Sequence, residues 1–233
     1  MRINGLEILG RQAPGANYYV SSRANLNAPF GSWTTTETFD GYQDGTTFIY
    51  EGSEVALVAK WLPTTPRILM LCTAPFLDGC VAQPIEDKAT GTPIVTELDG
   101  PSVAMIAGGG LLMAFNNESE VLLAEPIDLE DLSKGWRSWS LPDEVNAIGL
   151  AFDDPALSPD GTVLVLNTGY DFWVSRRSST DVPFAAPAAL AAVNTSFTEH
   201  APYFVEHPDG RLELFFTSDR EGAFRFYHCM CVP

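Results

Sequence analysis

Short strand-forming runs closed by turn residues, prolines spread along the chain and an internal repeat predict an all-β fold, a β-propeller of five antiparallel blades. The apolar and aromatic runs are Leu6–Gly10, Asn17–Ser22, Thr46–Tyr50, Val55–Trp61, Arg67–Cys72, Ser102–Ala107, Leu111–Phe115, Val121–Ala124, Val163–Leu166, Phe172–Ser175, Leu212–Thr217 and Phe224–Cys231. Most end within a few residues at Gly, Pro, Asn, Asp or Ser. Only Leu129–Lys134 and Ala185–Ala192 read as helical, and 17 prolines make long helices improbable.

Repetition selects a propeller over a sandwich or barrel. Asp154-Pro-Ala-Leu-Ser-Pro-Asp-Gly-Thr-Val-Leu-Val-Leu lines up with Ala201-Pro-Tyr-Phe-Val-Glu-His-Pro-Asp-Gly-Arg-Leu-Glu-Leu. Each reads Pro, an apolar segment, a tight Pro-Asp-Gly turn, then another strand. Tyr19-Val-Ser-Ser-Arg likewise matches Trp173-Val-Ser-Arg-Arg, each followed by Pro-Phe. Acidic residues precede each presumed first strand at Glu37, Glu97, Asp153 and Glu199, with spacings of 60, 56 and 46 residues. The last spacing suits one four-stranded blade. The 233 residues then form a single domain with blades of roughly 1–38, 39–97, 98–152, 153–198 and 199–233. Six blades follow instead if 39–97 holds two compressed ones.

Residues 153–222, with Pro155-Ala-Leu-Ser-Pro-Asp-Gly, Tyr170-Asp-Phe-Trp-Val-Ser, Glu199-His-Ala-Pro and Phe215-Phe-Thr-Ser-Asp-Arg, resemble the WD-like repeat of TolB-type β-propellers. That resemblance implies an interaction platform and no particular reaction.

Symmetry would gather the recurring carboxylates at one mouth of the central channel. The expected ligand-binding ring is Glu37, Asp40, Glu97, Asp99, Asp153, Asp154 and Glu199, with His200 among them. Arg177 and Arg220 are candidates to neutralise part of it. Two functions fit this ring. The first is a binding protein that takes a small polar or cationic ligand, or a protein partner, at an acidic mouth. The alternative is a five-bladed enzyme with paired carboxylates, a glycoside hydrolase or an acid–base isomerase or cyclase, for which Asp153, Asp154 and Glu199 are the catalytic candidates. Trp33, Trp61, Trp136 and Trp139 could stack on a sugar or pack between blades.

A formal charge of −17 disfavours nucleic acid, which needs clustered Lys and Arg. No apolar run approaches the roughly 20 residues that span a bilayer. With no signal peptide the chain reads as cytoplasmic, or as periplasmic or secreted if a leader was removed. No cofactor is expected, although a cation such as calcium would suit the channel. Cys229, Cys231 and His228 lack a four-ligand zinc spacing, so no metal site is assigned there. No Gly-x-Ser-x-Gly elbow or dinucleotide fingerprint occurs, and Gly108-Gly-Gly reads as a hairpin turn. Cys72 and Cys80 flank a turn and could bridge in an oxidising compartment, but four free thiols are the expectation.

Overall fold

The computed structural model describes residues 7–11, 18–22, 34–35, 42–50, 53–62, 65–73, 80–94, 96, 98–117, 120–146, 150–207 and 209–232. Its strands form five sheets in chain order. The first holds β1 (Glu7–Arg11), β2 (Tyr18–Ser22) and β3 (Thr34–Thr35). The second holds β4 (Tyr42–Tyr50), β5 (Ser53–Leu62), β6 (Thr65–Thr73) and β7 (Val81–Ala82). The third joins β8 (Ile85–Asp87) in parallel to the outer edge of β9 (Asp99–Met105), β10 (Leu111–Asn116), β11 (Val121–Pro126) and β12 (Trp136–Ser140). The fourth holds β13 (Asp153–Leu157), β14 (Val163–Asn167), β15 (Phe172–Arg176) and β16 (Ala188–Ala189). The fifth holds β17 (Glu199–Glu206), β18 (Leu212–Ser218) and β19 (Arg225–Val232). The first strands β4, β9, β13 and β17 pack one against the next, so the sheets are blades around an axis.

Why the blades stack is legible in their second strands. In β10, Leu111, Met113 and Phe115 turn toward blade two and pack with Phe48, Leu57 and Leu69. The alternate residues Leu112 and Ala114 turn toward blade four and meet Leu157, Leu164 and Leu166. In β14 the remaining pair, Val163 and Val165, packs with Phe204, Leu214 and Phe216 of blade five. A strand buried on both faces must be apolar at every position, which is why these segments read as continuous hydrophobic runs. Each fully buried Leu or Phe contributes about 1.5–3 kcal/mol relative to exposure.

The two repeat turns are equivalent. Gly161 N–H donates to Ser158 O and Gly210 N–H to His207 O, both at 2.8 Å. Both glycines are left-handed, at φ 72° and 81°, and the aspartate before each accepts from the backbone two residues on. Gly108 and Gly109 form the β9–β10 hairpin at φ 89° and 85°.

Three expectations need correction. Leu129–Lys134 is a turn followed by a 3₁₀ helix at Leu132–Lys134, where the Asp131 carboxylate caps the Ser133 N–H and Gly135 stops the chain. Ala185–Ala192 is extended around β16, because Pro187 removes a helical donor. The thiols are bridged: Cys72–Cys80 is a disulfide and Cys229 is also disulfide-bonded, with no free cysteine among the described residues. The β6–β7 register pairs Leu71 with Val81, which sets Cys72 opposite Cys80 with Cα atoms 4.2 Å apart. Replacing both by serine is expected to lower unfolding stability by about 2–3 kcal/mol, the loop-closure contribution of a short bridge. Urea denaturation of oxidised protein against the double variant checks this; equal midpoints would contradict it.

Candidate functional site: the mouth where the first strands begin

Each first strand from the second blade onward starts with the same irregularity. Between Val58↔Gly45 and Lys60↔Tyr42, two residues of the second strand oppose three of the first. The same slip occurs between Ala114↔Ser102 and Asn116↔Asp99, Val165↔Ala156 and Asn167↔Asp153, and Phe215↔Tyr203 and Thr217↔His200. In the last three blades the bulge carries a left-handed residue directly before a proline: Gly100 (φ 55°), Asp154 (φ 38°) and Ala201 (φ 52°). A bulge re-aims the side chain beside it. The register therefore makes Tyr42, Asp99, Asp153 and His200 equivalent positions of the ring.

That differs from the expected alignment on Glu97, Asp153 and Glu199. A one-residue offset in a strand turns a side chain to the opposite face, and Glu199 shows the result. Its side chain is fully buried, beside Arg220 Nη2 at 2.9 Å, Ser218 Oγ at 3.1 Å and Thr195 Oγ1 at 2.7 Å. The Arg220 guanidinium also donates to Val193 O and covers the Tyr227 ring. Glu199 thus ties β17 to β18 and the preceding loop and does not line the cleft described below. Glu37, Asp40 and Glu97 lie outside the described residues. Arg177 bonds Gly161 O and Thr180 O at the repeat turn, away from any of the ring carboxylates.

The ring residues are held by the preceding blade. Asp99 forms an ion pair with Arg67 of β6. Asn116, at the end of β10, donates through Nδ2 to Asp153 Oδ1 at 2.8 Å and to Phe152 O at 3.0 Å. Asn167, the equivalent residue of β14, lies 2.8 Å through Nδ2 from His200 Nδ1. Since Asn167 Oδ1 accepts from Gly169 N–H, its amide nitrogen donates to the ring and the imidazole proton sits on Nε2. The Asp154 N–H donates to Asp153 Oδ1 at 3.0 Å. Gly100 is required where blades three and four meet, because a Cβ there would stand 3.0 Å from the Asp154 Cα.

Between blades three and four this end opens into a cleft of about 390 Å³, lined by Arg67, Asp99, Asn116, Phe152, Asp153 and the Thr168–Gly169 loop. Two carboxylates from neighbouring blades face one space. Asp99 is compensated by a guanidinium, whereas Asp153 is held by neutral donors alone among the described residues. Arg67, Asn116 and Asn167 escaped the sequence reading, although an asparagine closing each second strand, Phe115-Asn116 and Leu166-Asn167, is a legible signal. Of the tryptophans, Trp136 is fully buried between blades and Trp139 packs under Lys88, 4.5 Å from the ring centre. Trp33 and the Trp61 side chain lie outside the described residues.

Ala201 bears a left-handed backbone without the freedom of glycine. Ala201→Gly is expected to raise stability by about 0.5–1 kcal/mol, as relief of backbone strain exceeds the entropy glycine adds to the unfolded chain. A lowered urea midpoint in that variant would contradict the assignment of strain.

No protein-family profile matches the chain, and no curated protein sequence matches it. Solved structures do match its fold. A thermostable family-43 glycoside hydrolase superposes with TM-score 0.67 at 9% identity, over 95% of this chain and 84% of that one. An arabinanase of Bacillus subtilis gives 0.65 at 11% identity, covering 96% and 88%, and an endo-arabinase of Bacteroides thetaiotaomicron gives 0.63 at 12%, covering 95% and 87%. The likeness establishes a five-bladed β-propeller. Among the described residues, no helix is long and apolar enough to cross a membrane.

Proposed function

We propose that this propeller is a glycoside hydrolase whose carboxylate pair is Asp99 and Asp153. The observation that carries the reading is the cleft itself: carboxylates from two adjacent blades open into one space large enough for a sugar ring. Hydrolysis of a glycosidic bond needs two such groups flanking it. Asp153 would protonate the leaving oxygen as the glycosidic C–O bond breaks. Water would add to the anomeric carbon and pass its proton to Asp99, which Arg67 holds as a carboxylate. The glycoside hydrolase titles of the structural neighbours support this reaction class. The Cys72–Cys80 bridge supports an oxidising compartment over the cytoplasm.

A second reading, a binding protein, draws on the Arg67–Asp99 pair, which occupies one of the two carboxylates, and on the TolB-like Pro-Asp-Gly repeat. Hydrolysis assays on aryl glycosides and on arabino- and xylo-oligosaccharides separate the two. Turnover that collapses in Asp153→Asn and Asp99→Asn supports the enzyme. Binding without turnover, weakened in graded steps by the same variants, supports the binding protein.

A further inference from the structure

The Thr168–Gly169 wall of the cleft continues into surface that the carboxylate pair does not use. Tyr170 follows directly and is 70% exposed, while its carbonyl accepts from Glu199 N–H at 2.9 Å, fixing the loop against the start of β17. Asn167 links the same loop, through Gly169 N–H, to His200. The His200 ring stands 5.9 Å from that of Phe224, which is 58% exposed on the β18–β19 loop. One hydrogen-bonded connection thus runs from the cleft wall to a rim with two solvent-exposed aromatic rings, and His200 Nε2–H supplies a donor beside one of them.

Exposed aromatics at a site anchored to rigid strands are costly to leave in water unless a ligand covers them. The flat apolar face of a pyranose or furanose suits them, with hydroxyls left for the neighbouring donor. The net charge of −17 argues against acidic polymers. We propose that Tyr170, His200 and Phe224 form a second sugar subsite continuous with the cleft, so that the ligand is a neutral oligosaccharide that spans the boundary between blades four and five. This rests on the glycoside reading for the class of ligand.

The test compares full-length wild type with Tyr170→Ala, Phe224→Ala and the ring-preserving Tyr170→Phe and Phe224→Tyr. Probes are aryl arabinoside and aryl xyloside, and neutral arabino- and xylo-oligosaccharides of four to six units, read by hydrolysis and by calorimetric binding. The alanine variants are expected to raise KM or Kd for the oligosaccharides about tenfold, with kcat and the aryl glycosides unchanged, while the ring-preserving variants stay near wild type. Oligosaccharides handled equally by wild type and both alanine variants would overturn the subsite while leaving the hydrolase intact. Binding without hydrolysis, lost in the alanine variants, would uphold the subsite and remove the hydrolase. If wild type neither binds nor cleaves any of these sugars, both fall.

Discussion

Asp153→Asn is expected to lower turnover of a cleaved glycoside by about 10²–10⁴-fold, the usual cost of deleting a general acid. The amide keeps the shape and can still bond Asn116, so the bulge and the inter-blade contact persist. Binding should survive, with KM changed far less than kcat. Asp99→Asn should also be impaired, and it additionally leaves the Arg67 guanidinium without its partner carboxylate in the cleft. Circular dichroism and the urea midpoint, measured beside the kinetics, separate lost chemistry from lost fold.

The second large effect concerns stability. Glu199→Ala is expected to cost about 3 kcal/mol, because it strips a fully buried carboxylate from a guanidinium and from Ser218 and Thr195 at once. The figure sits at the low end for broken buried pairs, since Arg220 is about a quarter exposed and keeps its bond to Val193 O. Glu199→Gln retains acceptor and shape and should cost about half as much. Both variants, while folded, should turn over substrate like wild type. Loss of turnover in a stably folded Glu199→Gln would return this residue to the active site.

The fold was largely open to reading because two-sided burial leaves a mark. Leu111–Phe115 and Val163–Leu166 are apolar throughout, as a strand sandwiched between blades must be, and the Pro-Asp-Gly turns sit where the repeat places them. The outer strands were harder. β8 and β16 are two or three residues long and owe their conformation to a neighbouring strand, so no local pattern announces them.

The site was partly legible. Asp99, Asp153 and His200 were all candidates, yet aligning the acidic residues by type put Glu97 and Glu199 in their place. The bulge decides the matter by adding a residue and re-aiming the side chain before it. Its signature, a residue before proline in Gly100-Pro101, Asp154-Pro155 and Ala201-Pro202, is visible in the sequence but speaks about backbone rather than chemistry. Arg67 reaches Asp99 from another blade, a pairing that nothing local encodes.

The central claim is that the cleft between blades three and four cleaves a glycosidic bond with Asp153. Its most direct test is the release of reducing ends from neutral arabino- and xylo-oligosaccharides by wild type, Asp153→Asn and Glu199→Gln, at matched folded concentration. Cleavage by wild type and Glu199→Gln, with a fall of at least about a hundredfold in Asp153→Asn, is the predicted result. Cleavage by Asp153→Asn at the wild-type rate, or no cleavage by wild type, would contradict it.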